Sequence, residues 1–482
     1  MSTVAGIAVS PDHFIDGDRV PGEHTFTDIS PIDQSVLAEV ARGGPAEVER
    51  AVAAATRALP GWAALGAAGR AVHLRRLADL IDQNIERIAA VECLDMAMLE
   101  RSLKARVIAR GARNYRAYAD LAEAYEERTW SSNGTENRVL RMPSGPAAVI
   151  TPWNAPFMLS TWKTAPGLAA GCTVVLKPPE WAPLSCSLLA DLTAEAGFPA
   201  GVFNVVQGIG EEAGAALVAH PGLRRISFTG SPETGRHIGR AAAANIVPFT
   251  AELGGKGPLI VFADSDLDAA AAKASGQYDD AGQVCLAGTR LLVEESVRDA
   301  FLERFHAGVD AQVLGDPRDE ATTISPLIHP DHLARVEGFV ERARDNGDRI
   351  VRGGRRAEIG GLWYEMTLIE PRSNESEIVQ REVFGPVLTF QTFRDEADAV
   401  ALANSTAYGL SAIVYTGSRE RAERVGRAVR AGTVWVNCFL VRDLTAPFGG
   451  VGISGIGREG GDYALDFYSD LKTLLIRDGS TA

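Results

Sequence analysis

The chain has 482 residues, of which 46% are hydrophobic and 23% are charged, and its formal net charge is −14. This length predicts about two or three globular domains, and the composition excludes a disordered or collagen-like chain. The acidic balance argues against nucleic acid and anionic membranes as partners, because both are negatively charged themselves. Residues 1–20 contain no apolar secretion signal, so we expect a cytoplasmic protein.

The first long segment, residues 46–128, is predicted to be mostly helical because apolar residues such as Leu74, Leu77 and Ile81 recur at helical spacing. Short apolar runs then alternate with helical stretches, which is the order of βαβ units around a parallel sheet. The predicted strands are 147–151, 173–177, 202–206, 225–229 and 247–253, and the predicted helices between them are 156–170, 183–197, 211–220 and 232–243.

A second alternation of the same kind begins near residue 258 and indicates a second α/β domain. Residues 124–143 and 467–477 fit neither block, and the latter alternate polar and apolar residues, as an unpaired strand does. The predicted strands of the second block are 258–262, 290–293, 386–393, 411–415 and 433–437.

Two glycine patterns imitate a dinucleotide-binding fingerprint. The segment 455–460 matches G-x-G-x-x-G letter for letter, but no strand precedes it. Gly208 and Gly210 do follow a strand, yet the third glycine, Gly214, comes one residue late. Both patterns are interpreted as glycine turns, because the fingerprint requires a strand before it and a helix after it.

The 5 cysteines are scattered and form no C-x-x-C pair. This spacing favours neither a disulfide framework nor a structural zinc site, and we expect no metal. Cys93, Cys172, Cys186 and Cys438 are interpreted as small buried apolar residues. Cys285 is the candidate for a reactive thiol.

Polar segments follow several predicted strands of the first block at the point where each strand ends. Ligands of open parallel sheets lie at this carboxyl edge, so these segments should converge on one site. They are 151–154 (TPWN), 177–180 (KPPE), 228–231 (FTGS) and 252–256 (ELGGK), with 282–285 (GQVC) further along and closing a helix.

Together with 382–386 (EVFGP) and 447–450 (PFGG), these segments resemble the aldehyde dehydrogenase family over essentially the whole chain. The resemblance implies an α/β fold in which residues 1–123 and 144–254 form a Rossmann-type NAD-binding domain. Residues 255–462 would form an α/β catalytic domain. Residues 124–143 and 463–482 would supply a small β oligomerisation element, a hairpin and a C-terminal strand, so the resemblance implies a homo-oligomer, either a dimer or a tetramer.

The chemistry of aldehyde oxidation suits these residues. A thiolate at Cys285 can add to the aldehyde carbon and later leave from a thioester. The side-chain amide of Asn154 and the backbone N–H of Cys285 can stabilise the oxyanion that forms. Glu252 can act as general base for the water that hydrolyses the thioester. A Cys–His hydrolase is the rival interpretation, but no histidine lies near Cys285 in the sequence.

The coenzyme is predicted to be NAD. A carboxylate at Glu180 would bind ribose hydroxyls and repel the 2′-phosphate of NADP. Gly230 and Ser231 begin a helix, where backbone amides suit a pyrophosphate. The resemblance implies that Glu382 and Phe384 contact the nicotinamide ribose. Lys177 is predicted both as a catalytic residue and as a coenzyme-binding residue. The complete predicted coenzyme set is Ile150, Thr151, Pro152, Trp153, Lys177, Glu180, Gly210, Phe228, Gly230, Ser231, Leu253, Glu382 and Phe384.

The segment 437–444 resembles a narrower group, the 2-aminomuconate and 2-hydroxymuconate semialdehyde dehydrogenases of aromatic-ring catabolism. Their substrates carry a carboxylate, which the guanidinium groups of Arg110 and Arg442 could bind in a bidentate manner. The residues predicted to line the substrate tunnel are Phe157, Met158, Trp162 and Phe439. Two alternatives stay open: an enzyme for a simple aromatic or aliphatic aldehyde, and a non-catalytic ligand-binding protein on the same fold.

Two features depart from the usual pattern of the family. Asp279 and Asp280 precede the nucleophile where asparagines are more common, and they would raise the pKa of the Cys285 thiol if they pointed inward. Ala155 replaces a bulkier residue and would widen the pocket.

Overall fold

A computed structural model describes residues 1–477 and 479. The predicted C-terminal segment 463–482 therefore lies partly outside the described residues. Within the part of the chain that is described, no helix is long and apolar enough to cross a membrane.

The N-terminal quarter consists of short strands followed by helices. The first helix begins at Pro45, whose missing N–H suits a first helical position, and the Glu47 side chain accepts the Gly44 N–H at 2.9 Å. The elements are β1 (Ser2–Val4), β2 (Ile7–Val9), β3 (His13–Ile15), β4 (Asp18–Val20), β5 (Thr25–Ile29), β6 (Val36–Ala41), α1 (Pro45–Ala64), α2 (Gly66–Gln83), α3 (Ile85–Met96), α4 (Glu100–Ser102), a π-helical segment (Leu103–Ile108) and α5 (Ala109–Glu123).

The next block contains the predicted βαβ units. It begins after the hairpin of β7 (Arg128–Ser132) and β8 (Thr135–Pro143). Its elements are β9 (Ala147–Ile150), α6 (Pro156–Ala170), β10 (Val174–Lys177), α7 (Leu184–Glu195), β11 (Phe203–Val205), α8 (Ala215–Ala219), β12 (Arg225–Thr229), α9 (Pro232–Ala244) and β13 (Phe249–Glu252).

With β3, β4 and β21 (Gly455–Ile456), the strands β9 to β13 form an 8-stranded sheet in the order β21-β13-β12-β9-β10-β11-β3-β4. From β13 to β11 the neighbouring strands are parallel. From β9 the chain adds β10 and β11 on one side, and it then adds β12 and β13 on the other side. The topology therefore reverses beside β9, as in doubly wound nucleotide-binding folds. The prediction of a Rossmann-type sheet is confirmed.

The two faces of this sheet are both covered, which explains why its strands are apolar runs. Val174 and Leu176 face the cluster that contains α2, α5, α6 and α7, whereas Val175 between them faces the cluster of α1, α8 and α9. A parallel strand buried on both faces has no polar side, and its sequence shows none.

The second α/β block contains a 7-stranded sheet in the order β16-β17-β18-β15-β14-β19-β20. Its strands are parallel except for β16, which pairs antiparallel with β17. The elements are β14 (Pro258–Val261), α10 (Leu267–Ser275), β15 (Arg290–Glu294), α11 (Arg298–Asp310), α12 (Pro330–Asp345), β16 (Arg349–Arg352), β17 (Thr367–Glu370), α13 (Glu377–Gln380), β18 (Val387–Phe393), α14 (Glu396–Ala403), β19 (Ser411–Tyr415), α15 (Arg419–Ala428) and β20 (Thr433–Val436).

The last elements return to the earlier parts of the fold. They are β21 (Gly455–Ile456), α16 (Gly461–Phe467) and β22 (Ser469–Ile476). Strand β21 pairs with β13 at the edge of the first sheet. Strand β22 pairs antiparallel with β8, so the tail and the hairpin build one 3-stranded sheet in the order β22-β8-β7.

Candidate active site

The polar segments that follow the strands of the first sheet lie at one edge, as predicted. Lys177 ends β10 opposite Ile150 of β9, and Thr229 ends β12 opposite Glu252 of β13. Asn154 follows β9 just before the first turn of α6. The parallel register therefore brings residues that are far apart in the sequence to the same end of the sheet.

One cavity of about 320 Å³ joins Asn154, Glu252 and Cys285. The first two come from the edge of the first sheet, and Cys285 comes from the loop before β15 of the second. The cavity therefore lies between the two α/β blocks. The three side chains predicted to carry the chemistry share one site.

The nucleophile lies in a loop, which corrects the prediction that it closes a helix. The helix α10 ends at Ser275, and a short 3-10 segment follows (Gly276–Gly282). Asp280, Ala281 and Gly282 then adopt left-handed backbone conformations, with φ of 53°, 54° and 69°. A Cβ on Gly282 would lie 2.3 Å from the carbonyl oxygen of Gly385, so only glycine fits there.

The surroundings of the Cys285 thiol favour its neutral form. Burial first, then the carboxylates of Glu382 and Glu252, raise the pKa of Cys285 to about 12. Asp280 does line the cavity, whereas Asp279 is exposed. The acids that act on the thiol are thus Glu382 and Glu252, not the two aspartates that the sequence singled out.

The side-chain amide of Asn154 is held in place by the nucleophile loop. Its Nδ2 donates to the carbonyl oxygen of Gln283 at 3.0 Å. An amide has a second N–H, which remains for an oxyanion. This geometry suits the predicted role of Asn154.

Glu252 has the surroundings of a general base that is easily protonated. Its side chain is 6% exposed, and neither carboxyl oxygen has a hydrogen-bond partner. Burial, then the neighbouring charge of Glu459, raise the pKa of Glu252 to about 8, against the opposing effects of Lys163 and Arg442. A carboxyl group with such a pKa can accept and release a proton near neutral pH.

Glu459, which lies in the glycine-containing segment 455–460, was not among the residues predicted for the site. Its carboxylate pairs with the Lys163 ammonium, accepts Trp162 Nε1–H at 2.5 Å and accepts the Ser227 hydroxyl at 3.3 Å. Lys163 and Glu459 are both buried. Within this pair Glu459 raises the pKa of Glu252, whereas Lys163 lowers it.

Several residues predicted for the coenzyme lie at the carboxyl edge of the first sheet. Lys177 Nζ donates to Glu180 Oε2 at 2.8 Å, which leaves the other carboxylate oxygen for ribose hydroxyls. Ser231 caps α9 by accepting the Thr234 N–H at 3.1 Å, and the first amides of this helix suit an anion. A Cβ on Gly230 would lie 2.4 Å from the Phe228 ring, so a side chain at this position would clash with that ring.

The other predicted coenzyme residues lie near these strand ends or line the cavity. Glu382 accepts the Gly255 N–H at 2.8 Å, and burial raises its pKa to about 7. A Cβ on Gly210 would lie 4.0 Å from Glu180 Oε1, and Leu253 lines the cavity beside Glu252. Ile150 ends β9, Thr151 and Pro152 follow it, and the Trp153 ring lies 5.3 Å from that of Phe384.

Arg110, Arg442 and Trp162 line the same cavity as Cys285. The Arg442 guanidinium lies 4.3 Å from the centre of the Trp162 ring and 3.7 Å from that of Phe448. Within the described chain neither arginine forms an ion pair, and Arg110 Nε and Arg442 Nη2 are buried without partners. Burial, together with repulsion from Arg442 and Arg113, lowers the pKa of Arg110 to about 9.

Phe157 does not line the cavity, and this prediction needs correction. Its side chain is fully buried in the helical core, against Gly111 of α5. Met158, the next residue of α6, lines the cavity as predicted, whereas Phe439 does not. An apolar pattern cannot distinguish a pocket wall from a core position one residue away.

The model for the aldehyde dehydrogenase family matches residues 19–474. The chain is 42% identical to the 2-hydroxymuconic semialdehyde dehydrogenase of Pseudomonas sp. (strain CF600), covering 96% of this chain and 99% of that protein. It is 39% identical to the 5-carboxymethyl-2-hydroxymuconate semialdehyde dehydrogenase of Escherichia coli, covering 94% of this chain and 98% of that protein. A structure of betaine aldehyde dehydrogenase from Staphylococcus aureus in complex with NAD+ superposes with a TM-score of 0.96 at 36% identity, covering 98% of this chain and 96% of that one.

Proposed function

Because the chain belongs to the aldehyde dehydrogenase family, we propose that it oxidises a carboxylate-bearing semialdehyde, of the muconic semialdehyde type, to the acid with NAD as coenzyme. The observation that carries the proposal is the pair of half-buried arginines, Arg110 and Arg442, which line the cavity of Cys285 and each have a buried nitrogen with no hydrogen-bond partner in the described chain. Buried guanidinium groups without a counterion are costly unless a ligand supplies one. Two of the similar proteins are named for muconic semialdehydes.

Arg442 and Arg110 bind and orient the substrate in this proposal. A carboxylate can accept two parallel N–H bonds from one guanidinium, which fixes its direction as well as its position. The aldehyde at the other end of the substrate then faces Cys285. The apolar walls at Met158 and Leu286 exclude water from the carbon skeleton.

Cys285 adds to the aldehyde carbon and forms a thiohemiacetal. The thiol proton leaves for a base, and Glu252 is the carboxylate in the same cavity that can take it. The negative charge that develops on the aldehyde oxygen is stabilised by the second N–H of Asn154 and by the backbone N–H of Cys285. Loss of one such donor typically costs about 2.7–4 kcal/mol of activation free energy.

The coenzyme residues described above would hold NAD, with Glu180 near the adenosine ribose and Glu382 and Phe384 near the nicotinamide ribose. A bound nicotinamide supplies the oxidant, by accepting the hydride from the thiohemiacetal carbon. Glu252 first passes the thiol proton to solvent and then removes a proton from the water that attacks the thioester. The carboxylic acid is released, and the expelled Cys285 thiolate takes that proton back from Glu252. Glu180 supports NAD over NADP, because its charge would repel a 2′-phosphate.

We also propose a homo-oligomer, a dimer or a tetramer. The outer strand of the 3-stranded sheet, β22, has one free edge and exposes Leu471 and Leu475, which are 63% and 60% exposed. A long apolar edge of this kind pairs readily with another strand.

We also propose a reducing, cytoplasmic compartment. The 5 cysteines are free thiols, which supports this proposal.

A panel of aldehydes tests the function. Each semialdehyde with a distal carboxylate is matched by its methyl ester, and NADH formation is followed by absorbance at 340 nm. The proposal expects kcat/KM to be higher for the acids than for their esters. Equal values would indicate the alternative, an enzyme for simple aldehydes. No activity with any aldehyde, or unchanged activity in Cys285→Ala, would overturn the mechanism.

A further inference from the structure

Phe384, in the turn predicted to contact the nicotinamide ribose, has an unusual backbone conformation. Its φ is 63°, and it is the single aromatic residue with a positive φ among residues 1–477. A bulky side chain is strained in the left-handed region, so the surrounding structure must impose this conformation. Strain of this kind is retained where the shape of a turn matters.

The helix α12 holds this turn through two backbone carbonyl groups. His332 Nε2 lies 2.7 Å from the carbonyl oxygen of Phe384, and Arg335 Nη2 donates to that of Glu382 at 2.9 Å. Because a carbonyl oxygen can only accept, Nε2 of His332 carries the hydrogen. Burial lowers the pKa of His332 to about 4, so the ring is a neutral donor at pH 7.

Aromatic contacts fix the same turn from the other side of the cleft. The Trp153 ring, which follows β9, lies 5.1 Å from the His332 ring and 5.3 Å from the Phe384 ring, with both pairs edge to face. His332 is 4% exposed and therefore cannot turn away to solvent. The histidine thus packs against the first sheet while it bonds to the turn of the second block.

We propose that His332 is a positioning residue that holds the 382–384 turn in the shape needed to bind the coenzyme, an inference that rests on the proposed NAD-dependent function. Without its N–H, the part-buried carbonyl oxygen of Phe384 would lose the donor that His332 supplies. The left-handed conformation would lose its restraint, and the turn would relax. Binding of the coenzyme should weaken, whereas chemistry at Cys285 that needs no coenzyme should continue.

Three variants separate the hydrogen bond from general packing. His332→Ala removes the donor. His332→Gln restores an N–H that is the same number of bonds from Cα. His329→Asn is the matched control, because His329 belongs to the same aromatic group through Trp181 but does not bond to the turn. Asparagine at 329 also keeps an acceptor for the helix N-terminus.

The readouts are the dissociation constant of NAD+, measured by calorimetry without substrate, and coenzyme-free hydrolysis of p-nitrophenyl acetate. We expect His332→Ala to weaken NAD+ binding about tenfold or more and to retain ester hydrolysis within about twofold. His332→Gln and His329→Asn should bind NAD+ within about threefold of the unmodified protein. If His332→Ala unfolds, the glutamine variant decides.

Two results would overturn the inference while leaving the proposed function intact. The first is that His332→Ala binds NAD+ as tightly as the unmodified protein. The second is that a folded His332→Gln binds NAD+ about tenfold or more weakly than the unmodified protein. Failure of the unmodified protein to bind NAD+ would instead overturn the proposed coenzyme, and this inference with it.

Discussion

Replacement of Arg442 by alanine tests the substrate assignment most directly. The guanidinium lies between the rings of Trp162 and Phe448 with a buried N–H that has no partner in the described chain. Removal of one partner from a buried, hydrogen-bonded charge pair typically costs about 2–5 kcal/mol. Arg110 remains in the cavity and can still attract the carboxylate, so we expect the lower part of this range. A loss of about 2–3 kcal/mol corresponds to a decrease of about 30- to 150-fold in kcat/KM.

The assay compares a carboxylate-bearing semialdehyde with its methyl ester. The loss should be confined to the acid, because the ester has no charge for Arg442 to bind. Arg442→Lys should give an intermediate loss, since lysine keeps the charge but neither the planar fork nor the stacking between two rings. Arg116→Ala is the control, because Arg116 lies on α5, the helix of Arg110, but outside the cavity and paired with Asp79 and Asp82.

The reasoning would be refuted by equal losses for the acid and the ester. That result would mean that Arg442 maintains the structure or the ionisation of Glu252 rather than binding the substrate. A loss of less than about threefold for the acid would also contradict the assignment.

Three further predictions each concern the replacement of one charged residue. Glu459→Gln removes a negative neighbour that raises the pKa of Glu252, so the acid limb of the pH–rate profile, expected near pH 8, should move to lower pH. Glu180→Gln should reduce the preference for NAD over NADP about tenfold in kcat/KM measured with each coenzyme, since the repelling carboxylate is lost. Arg225→Ala removes hydrogen bonds to the carbonyl groups of Phe467 and Ser469. It should lower the melting temperature and weaken the proposed oligomer, measured by light scattering, whereas the Arg116→Ala control should change neither.

The parallel strands could be predicted from the sequence because burial on both faces leaves each of them a short apolar run. The edge strands could not be predicted in this way. Strand β21 is only two residues long, and β3, β4 and β16 are short strands whose pairing depends on what lies beside them. No local pattern marks such segments, since their conformation is fixed by tertiary contacts.

The same contrast holds for the site. Asn154 and Glu252 could be found because each follows a strand whose end lies at the ligand edge. The pairing of Lys163 with Glu459 joins residues 296 positions apart, and the bond from His332 to Phe384 joins residues 52 positions apart. Neither has a local signature, since each joins segments that meet only through tertiary packing.

Arg442 links substrate binding to the ionisation of the general base. Its positive charge lowers the pKa of Glu252 in the free protein, in opposition to burial and to Glu459. A substrate carboxylate bound to Arg442 would neutralise much of this charge, so the pKa of Glu252 should rise when an acid substrate binds and should not rise with the matching ester. Since the pH dependence of kcat reports groups in the enzyme–substrate complex, its acid limb should lie at higher pH for the semialdehyde acid than for its methyl ester, provided that thioester hydrolysis limits turnover. Coincident profiles for the two substrates would show that the bound carboxylate lies away from Arg442.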